Sequence, residues 1–125
     1  MKKVMVFGTF DILHKGHLDY FRQAKKHGDY LIAVVARDKT VLAVKGRLPL
    51  NNEKKRVKFV KKFVDKAILG GLKNRHKVVV KYKPDVICLG YDQKADVNEL
   101  KRFSAVKRMK SYYPEKYKSS KIRKN

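Results

Sequence analysis

Short apolar runs alternate with stretches of helical period along this chain, and that alternation limits the folds open to it. Strands are predicted at about 3–8, 30–36, 65–69, 85–90 and 105–109. Val4-Met5-Val6-Phe7 and Leu31-Ile32-Ala33-Val34-Val35-Ala36 are the clearest, being continuous, β-prone and too short for core helices. Between them the spacing predicts helices at about 16–27, 38–44, from a cap at Asn51 or Asn52 to about 63, then 73–82 and 96–103. Lys83-Pro84 ends the fourth of these, because the residue before proline avoids helical backbone. Leu18, Phe21 and Ala24 give the first helix its apolar side, and Val57, Val60, Phe63 and Val64 do so for the third. Strands bare of polar alternation and separated by helices make a parallel sheet covered on both faces. Right-handed crossovers then give a doubly wound α/β sheet in one domain, with the ligand at the carboxyl ends of the strands where their order reverses. Three segments meet there: Gly8 to His17, Ala36 to Lys45, and Gly90 to Gln93.

The first segment reads GTFDILHKGH, residues 8 to 17, and carries most of the chemical information. Gly8 breaks the strand and lets backbone approach a ligand closely. Gly16 opens the helical pattern. His14 and His17 lie three residues apart where loop becomes helix, so both imidazoles can point the same way. Free N–H groups at a helix start attract anions, and histidines beside them add donors that can carry charge near neutral pH. Such a site suits the phosphates of a nucleotide. Neither the G-x-x-x-x-G-K-S/T loop nor G-x-G-x-x-G occurs in the chain.

Composition narrows the remaining classes. The 125 residues are 43% hydrophobic, enough for a sizeable core. The longest apolar run is far shorter than the ~20 residues that cross a bilayer, and no secretory leader is evident. The single cysteine, Cys88, excludes an internal disulfide or a cysteine metal cluster and reads as a buried strand thiol. A cytoplasmic protein without membrane attachment is expected. Lys and Arg number 33 against 11 Asp and Glu, a net charge of +22 that implies anionic partners. The lysines are scattered over helix exteriors, as in Lys54-Lys55 and Lys61-Lys62. Tyr112, Tyr113 and Tyr117 interleave with lysines near the end, where residues 112–125 are polar and expected to be mobile in part. No zinc finger, RNP motif or helix-turn-helix spacing accompanies them.

The strand followed by G-T-F-D and H-x-G-H resembles the signature of the cytidylyltransferase-like nucleotidyltransferases. Further likeness runs through Val35 to Asp38, Lys45 to Pro49, Val64 to Gly70 and Lys83 to Gln93. The phrasing is closest to the archaeal FAD synthases and somewhat less like the bacterial glycerol-3-phosphate cytidylyltransferases. The resemblance implies a Rossmann-like nucleotidyltransferase fold. It implies nucleotide binding by Thr9, Phe10, His14, Lys15, Gly16, His17, Asp92, Tyr117, Ser119 and Ser120, with Thr9 and Phe10 contributing backbone contacts. His14, His17 and Lys45 are the catalytic candidates, Lys45 lying where the family uses lysine on the acceptor phosphate. Gly8, Asp11, Asp38 and Arg56 support them. Asp11 orients the loop or holds a metal-bound water, and a turn-capping role is equally open. Gly16 stands where a side chain would collide with the ligand. Arg56 falls within a residue or two of a family arginine early in the third helix. The bacterial cytidylyltransferases carry Arg-Thr-Glu-Gly before their closing hydroxyls, whereas this chain has Tyr113-Pro114-Glu115-Lys116, which offers only point charges to phosphate. A homodimer is implied by family alone.

No serine–histidine–acid set is present, so a covalent intermediate is not expected. The acceptor phosphate attacks the nucleotide α-phosphorus directly and pyrophosphate leaves. Catalysis is positioning and charge stabilisation, assisted by Mg²⁺ or another divalent cation held through the nucleotide. Three readings stand at this point: transfer of AMP from ATP to FMN, transfer from CTP to a phospho-alcohol such as glycerol 3-phosphate, and a basic nucleic-acid-binding protein without catalysis. Scattered lysines neutralise phosphates without reading bases, so RNA or DNA binding is expected to be sequence-independent and to fade with salt. A mobility-shift titration at about 150 mM salt checks this. Tight binding of one particular sequence, with no transfer to any acceptor, would favour the third reading.

Overall fold

The computed structural model describes residues 1–71, 76–91, 93 and 95–110. Five strands form one parallel sheet: β1 (Lys3–Gly8), β2 (Tyr30–Val35), β3 (Lys66–Leu69), β4 (Val86–Leu89) and β5 (Ala105–Arg108), in the order β3-β2-β1-β4-β5. The helices are α1 (Lys15–Lys25), α2 (Asp38–Lys45), α3 (Glu53–Val60), α4 (His76–Tyr82) and α5 (Val97–Leu100). The chain builds outward from β1 to β3, then returns to the other side of β1 for β4. The order therefore reverses between β1 and β4, and the loops after those strands flank the reversal.

Strand β1 shows why the apolar runs are continuous. Val4 and Val6 face one layer, Met5 and Phe7 the other, and all four are buried. The first layer packs Phe21 and Ala24 of α1 and Val60 of α3 against the sheet. The second packs Val78 and Val79 of α4 and Leu100 of α5. An alternating polar strand could not satisfy both layers.

Several expectations are corrected at helix ends. α3 stops at Val60 and the chain turns through Lys61–Phe63, so Phe63 leaves the apolar stripe and is exposed, while Val57 and Val64 stay partly buried. Leu18 also faces outward, and Asp19, held by Arg22 and Gln23, is buried on α1 in its place. The predicted helix at 96–103 is one turn, capped by the Asp96 carboxylate on the Glu99 N–H. Among the described residues no helix is long and apolar enough to cross a membrane.

The ends of β1 and β2 are joined by a cation. Arg56 of α3 is fully buried, and its guanidinium donates to the carbonyls of Thr9 (2.8 Å), Ala36 (2.7 Å) and Asn51 (3.0 Å) and to the Asp38 carboxylate (2.8 Å). Arg56 lies in the first turn of α3, with exposed Lys54 and Lys55 beside it. Replacing Arg56 with Met removes the donors and leaves four acceptors facing an apolar stem. A loss of about 3–5 kcal/mol is expected, as for other broken buried pairs. Urea denaturation of purified Arg56→Met measures it, and a midpoint within error of wild type would contradict the role given to this side chain.

Candidate functional site

The loop after β1 is shaped by its own side chains before any ligand arrives. Phe10 adopts a left-handed backbone (φ 53°), unusual for an aromatic residue, and its ring is buried under the strand end. It meets Phe21 at 5.3 Å and His17 edge-on at 5.6 Å between ring centroids. Gly8 is needed because an added Cβ would sit 2.6 Å from the Phe10 ring. Gly16 has a similar reason: its Cβ would fall 2.7 Å from the His14 ring. Both glycines therefore make room for neighbouring side chains, a cause that the expectation of ligand contact did not include.

His14 is the N-cap of α1. Its Nδ1 accepts the Gly16 N–H at 3.0 Å, and its own backbone N–H donates to His17 Nδ1 at 3.4 Å. The two imidazoles thus act on each other's turn much as Ser and Glu do in a capping box. Capping and phosphate binding are compatible here. With Nδ1 of His14 occupied as acceptor, the neutral ring carries its proton on Nε2 and can donate outward. The rings lie 4.1 Å apart, tilted by 31°. Burial chiefly, with the neighbouring His14 as a second cause, pushes the His17 pKa down to about 4, against an opposing interaction with the Ile12 carbonyl. The expectation that the histidines can carry charge near neutral pH is corrected for His17, which is neutral there. Lys15, between them, is exposed.

Asp11 ties its loop to backbone far along the chain. Its Oδ2 accepts the Leu50 N–H at 2.8 Å and Oδ1 the Asn51 N–H at 2.9 Å, while Asn51 Nδ2 donates to the Asp11 carbonyl at 2.8 Å. Desolvation is the largest single influence on its carboxyl and raises it, but these donors and the nearby Arg56 together outweigh it and hold the group below its ordinary value. Asp11 orients the loop by clasping the segment before α3. Asp38 and Glu53 clasp α2 to α3 in the same manner, each side chain accepting the other's backbone N–H, and Asp38 also holds Arg56. Lys45 ends α2 and is exposed. Thr9 offers its carbonyl to Arg56. Asp92, Tyr117, Ser119 and Ser120 lie outside the described residues.

Sequence reasoning missed the residues that build the β4 side. Gln93 bridges the two strand ends at the reversal: Nε2 donates to the Phe7 carbonyl at 2.8 Å, and Oε1 accepts the Gly90 N–H at 3.1 Å. Arg108, at the end of β5, donates to the carbonyls of Gly90 and Gln93, both at 2.8 Å. Tyr20 of α1 donates its hydroxyl to the Cys88 carbonyl at 2.5 Å. Cys88 itself is buried, and that burial pushes its thiol up to about 12, so it is no nucleophile. Gln93 lay in the segment expected at the ligand end and within the family likeness, but no role was assigned to it from sequence.

A five-stranded parallel sheet reversing beside a histidine-capped helix start matches one family by sequence as well. A model described as cytidylyltransferase-like covers residues 5–125. The chain belongs to the cytidylyltransferase-like family. It is 49% identical over 104 residues to the FAD synthase of Thermoplasma acidophilum, spanning 82% of this chain and 72% of that relative. It is 48% identical over 96 residues to the FAD synthase of Ferroglobus placidus, spanning 77% and 63%. A crystal structure described as the lipopolysaccharide core biosynthesis protein from Thermoplasma volcanium superposes with a TM-score of 0.84 at 42% identity, over 90% of this chain and 98% of that one. As a member of the cytidylyltransferase-like family with these relatives, the protein is a nucleotidyltransferase. Enzymes of this type generally use a divalent cation. Among the described residues no three His, Cys, Asp or Glu side chains form a metal cage, and both Asp11 oxygens already accept N–H groups.

The neutral His17 makes stability depend on pH in one direction. Its pKa is about 4 folded and near 6.5 unfolded, so the unfolded chain binds the extra proton between those values. The contribution is complete above about pH 6.5 and is lost as pH falls toward 4. Denaturation of wild type and His17→Asn between pH 7.5 and 4 should give a difference that shrinks on acidification. A difference constant with pH would contradict a buried, uncharged imidazole.

Proposed function

We propose that this nucleotidyltransferase is an FAD synthase, transferring AMP from ATP to the phosphate of FMN. The observation that carries the reading is the histidine-capped start of α1 beside the strand reversal, in a chain about half identical to relatives named FAD synthase. A phosphate oxygen of FMN attacks the α-phosphorus in line. The new P–O bond forms as the bond to the bridging oxygen breaks, and pyrophosphate departs with that electron pair. The acceptor is already an anion and needs no strong base.

The residues present suit stabilisation of charge. N–H groups at the α1 start and the outward nitrogens of His14 and His17 can donate to phosphoryl oxygens as negative charge shifts toward the leaving group. A neutral imidazole donates without the cost of desolvating a cation, and bound phosphates favour its protonation. Lys45 would meet the acceptor phosphate, while Thr9, Phe10, Lys15 and Gly16 line the loop and Gly8, Asp11, Asp38 and Arg56 fix its shape. Asp92, Tyr117, Ser119 and Ser120 remain candidates for the nucleotide by resemblance. Mg²⁺ fits best as an ion carried by the triphosphate, since the described side chains offer it no cage.

A panel crossing ATP and CTP with FMN and glycerol 3-phosphate tests the reading through pyrophosphate release and product mass. FMN with ATP is expected to give FAD and to exceed every other pair. His14→Ala and His17→Ala should each lower turnover by ~10²–10³ while remaining folded. CDP-glycerol formation without FAD would move the protein to the other branch of its family. Turnover within a few-fold of wild type in both histidine variants would remove the phosphate site from the α1 start.

A further inference from the structure

Exposed apolar side chains are concentrated beside the histidine loop. On a chain of charge +22, a solvated surface of lysines would be unremarkable. Instead Leu42 (46% exposed), Val44 (79%), Leu48 (61%) and Leu50 (81%) project from α2 and the loop that follows it, and Ile12 (59%) from the loop after β1. Asp11 joins these two segments, since its carboxylate binds the Leu50 and Asn51 N–H groups, and Ile12 is its neighbour. Leu50 and Ile12 thus flank one clasp, with His14 two residues further along. Arg56 fixes the same place from inside through the carbonyls of Thr9 and Asn51. Cations lie within the apolar run, at Lys45 and Arg47.

We infer that Ile12, Leu48 and Leu50 form the seat of the acceptor's flat apolar ring system, a subsite that rests on the FMN reading proposed above. The occupant needs an anionic phosphate to reach His14, His17 and Lys45, and a large apolar body to cover the exposed leucines. A flavin mononucleotide has both. Glycerol 3-phosphate has the phosphate alone, and its small polar alcohol gives these side chains nothing to bury. The clasp explains how such a seat stays in register with the phosphate site: the loop bearing Leu50 is bonded to the loop bearing the histidines. In an enclosed apolar pocket even one methylene changes discrimination by roughly 10–200-fold. The ring seat therefore selects a flavin over a small phospho-alcohol, while the histidines treat both phosphates alike.

Flavin fluorescence quenching tests the seat without requiring turnover. Riboflavin supplies the ring without phosphate, and FMN the ring with it. The variant Ile12→Asn/Leu48→Asn/Leu50→Asn keeps every charge, and its exposed positions should tolerate the exchange. Val80→Asn, an exposed residue of α4 on the other layer, is the control. Expected are riboflavin and FMN binding by wild type and control, a loss of at least about tenfold in both affinities for the triple variant, and an unchanged KM for ATP. If wild type makes FAD but the triple variant binds both flavins equally well, the seat is wrong and the FMN reading stands. Flavin binding that is lost in the variant, from a wild type that makes no FAD, would support the seat and overturn that reading. No flavin binding at all would overturn both. Should the substitutions leave flavin affinity intact and change the sedimentation coefficient, these leucines face a second copy of the chain instead.

Discussion

A single buried guanidinium holds the working end of this fold together. Parallel strands end with carbonyl groups that no neighbour satisfies, and in a doubly wound sheet those ends lie where the ligand must bind. Arg56 answers three such carbonyls, from the loops after β1 and β2 and from the approach to α3, and pairs its charge with Asp38. Burial of an unpaired cation would be prohibitive, so the interaction holds only while all of these partners are in place. The dependence runs both ways. Arg56 needs the loops in one arrangement, and the loops are fixed because Arg56 is there. Around it, the Asp11 and Asp38–Glu53 clasps extend the constraint to the surface.

The consequence for chemistry is that the loop proposed to take phosphate is shaped before any ligand arrives. Phe10 accepts a strained backbone because its ring is packed between Gly8, Phe21 and His17. His14 and His17 are spent on each other's turn through Nδ1, which fixes the position of both rings. Donors fixed in advance need little reorganisation as charge develops on a phosphoryl group. The large net charge has a different place. Among the described residues the only buried charged side chains are Asp19 and Arg56, so nearly all of the charge those residues carry is external and acts as a long-range field on anionic substrates.

How much could be read from sequence follows from where each signal originates. β1, β2 and β4 were legible because strands buried on both faces leave unbroken apolar runs, and the doubly wound arrangement, though not the order of its strands, followed from rules of crossover handedness. The histidine pair was legible because its spacing and the glycine between are local. Arg56 was picked out only through the family resemblance: in Lys54-Lys55-Arg56 it otherwise reads as one more solvated cation, and only the folded strand ends reveal its acceptors. Gln93 was hidden for the same reason, since its partners Phe7 and Gly90 are distant or backbone. The charge state of His17 depends on burial by Phe10 and its surroundings, which no pattern in the decapeptide expresses. Helix ends failed at Phe63 and Leu18 because apolar spacing continues past the point where the chain turns, or onto a side that tertiary packing leaves open.

The proposed phosphate site is a preformed histidine pair at the start of α1 in which His17 is uncharged. Nitrogen-15 NMR of the imidazoles, titrated from pH 7.5 to 4 with and without ATP, observes it directly. Without nucleotide, His17 should remain neutral until the pH nears about 4, and His14 should show its proton on Nε2 when neutral. With ATP, both rings should shift, and His17 should gain its proton at higher pH. A His17 already charged at pH 7 without nucleotide, or imidazole signals indifferent to ATP, would contradict the account.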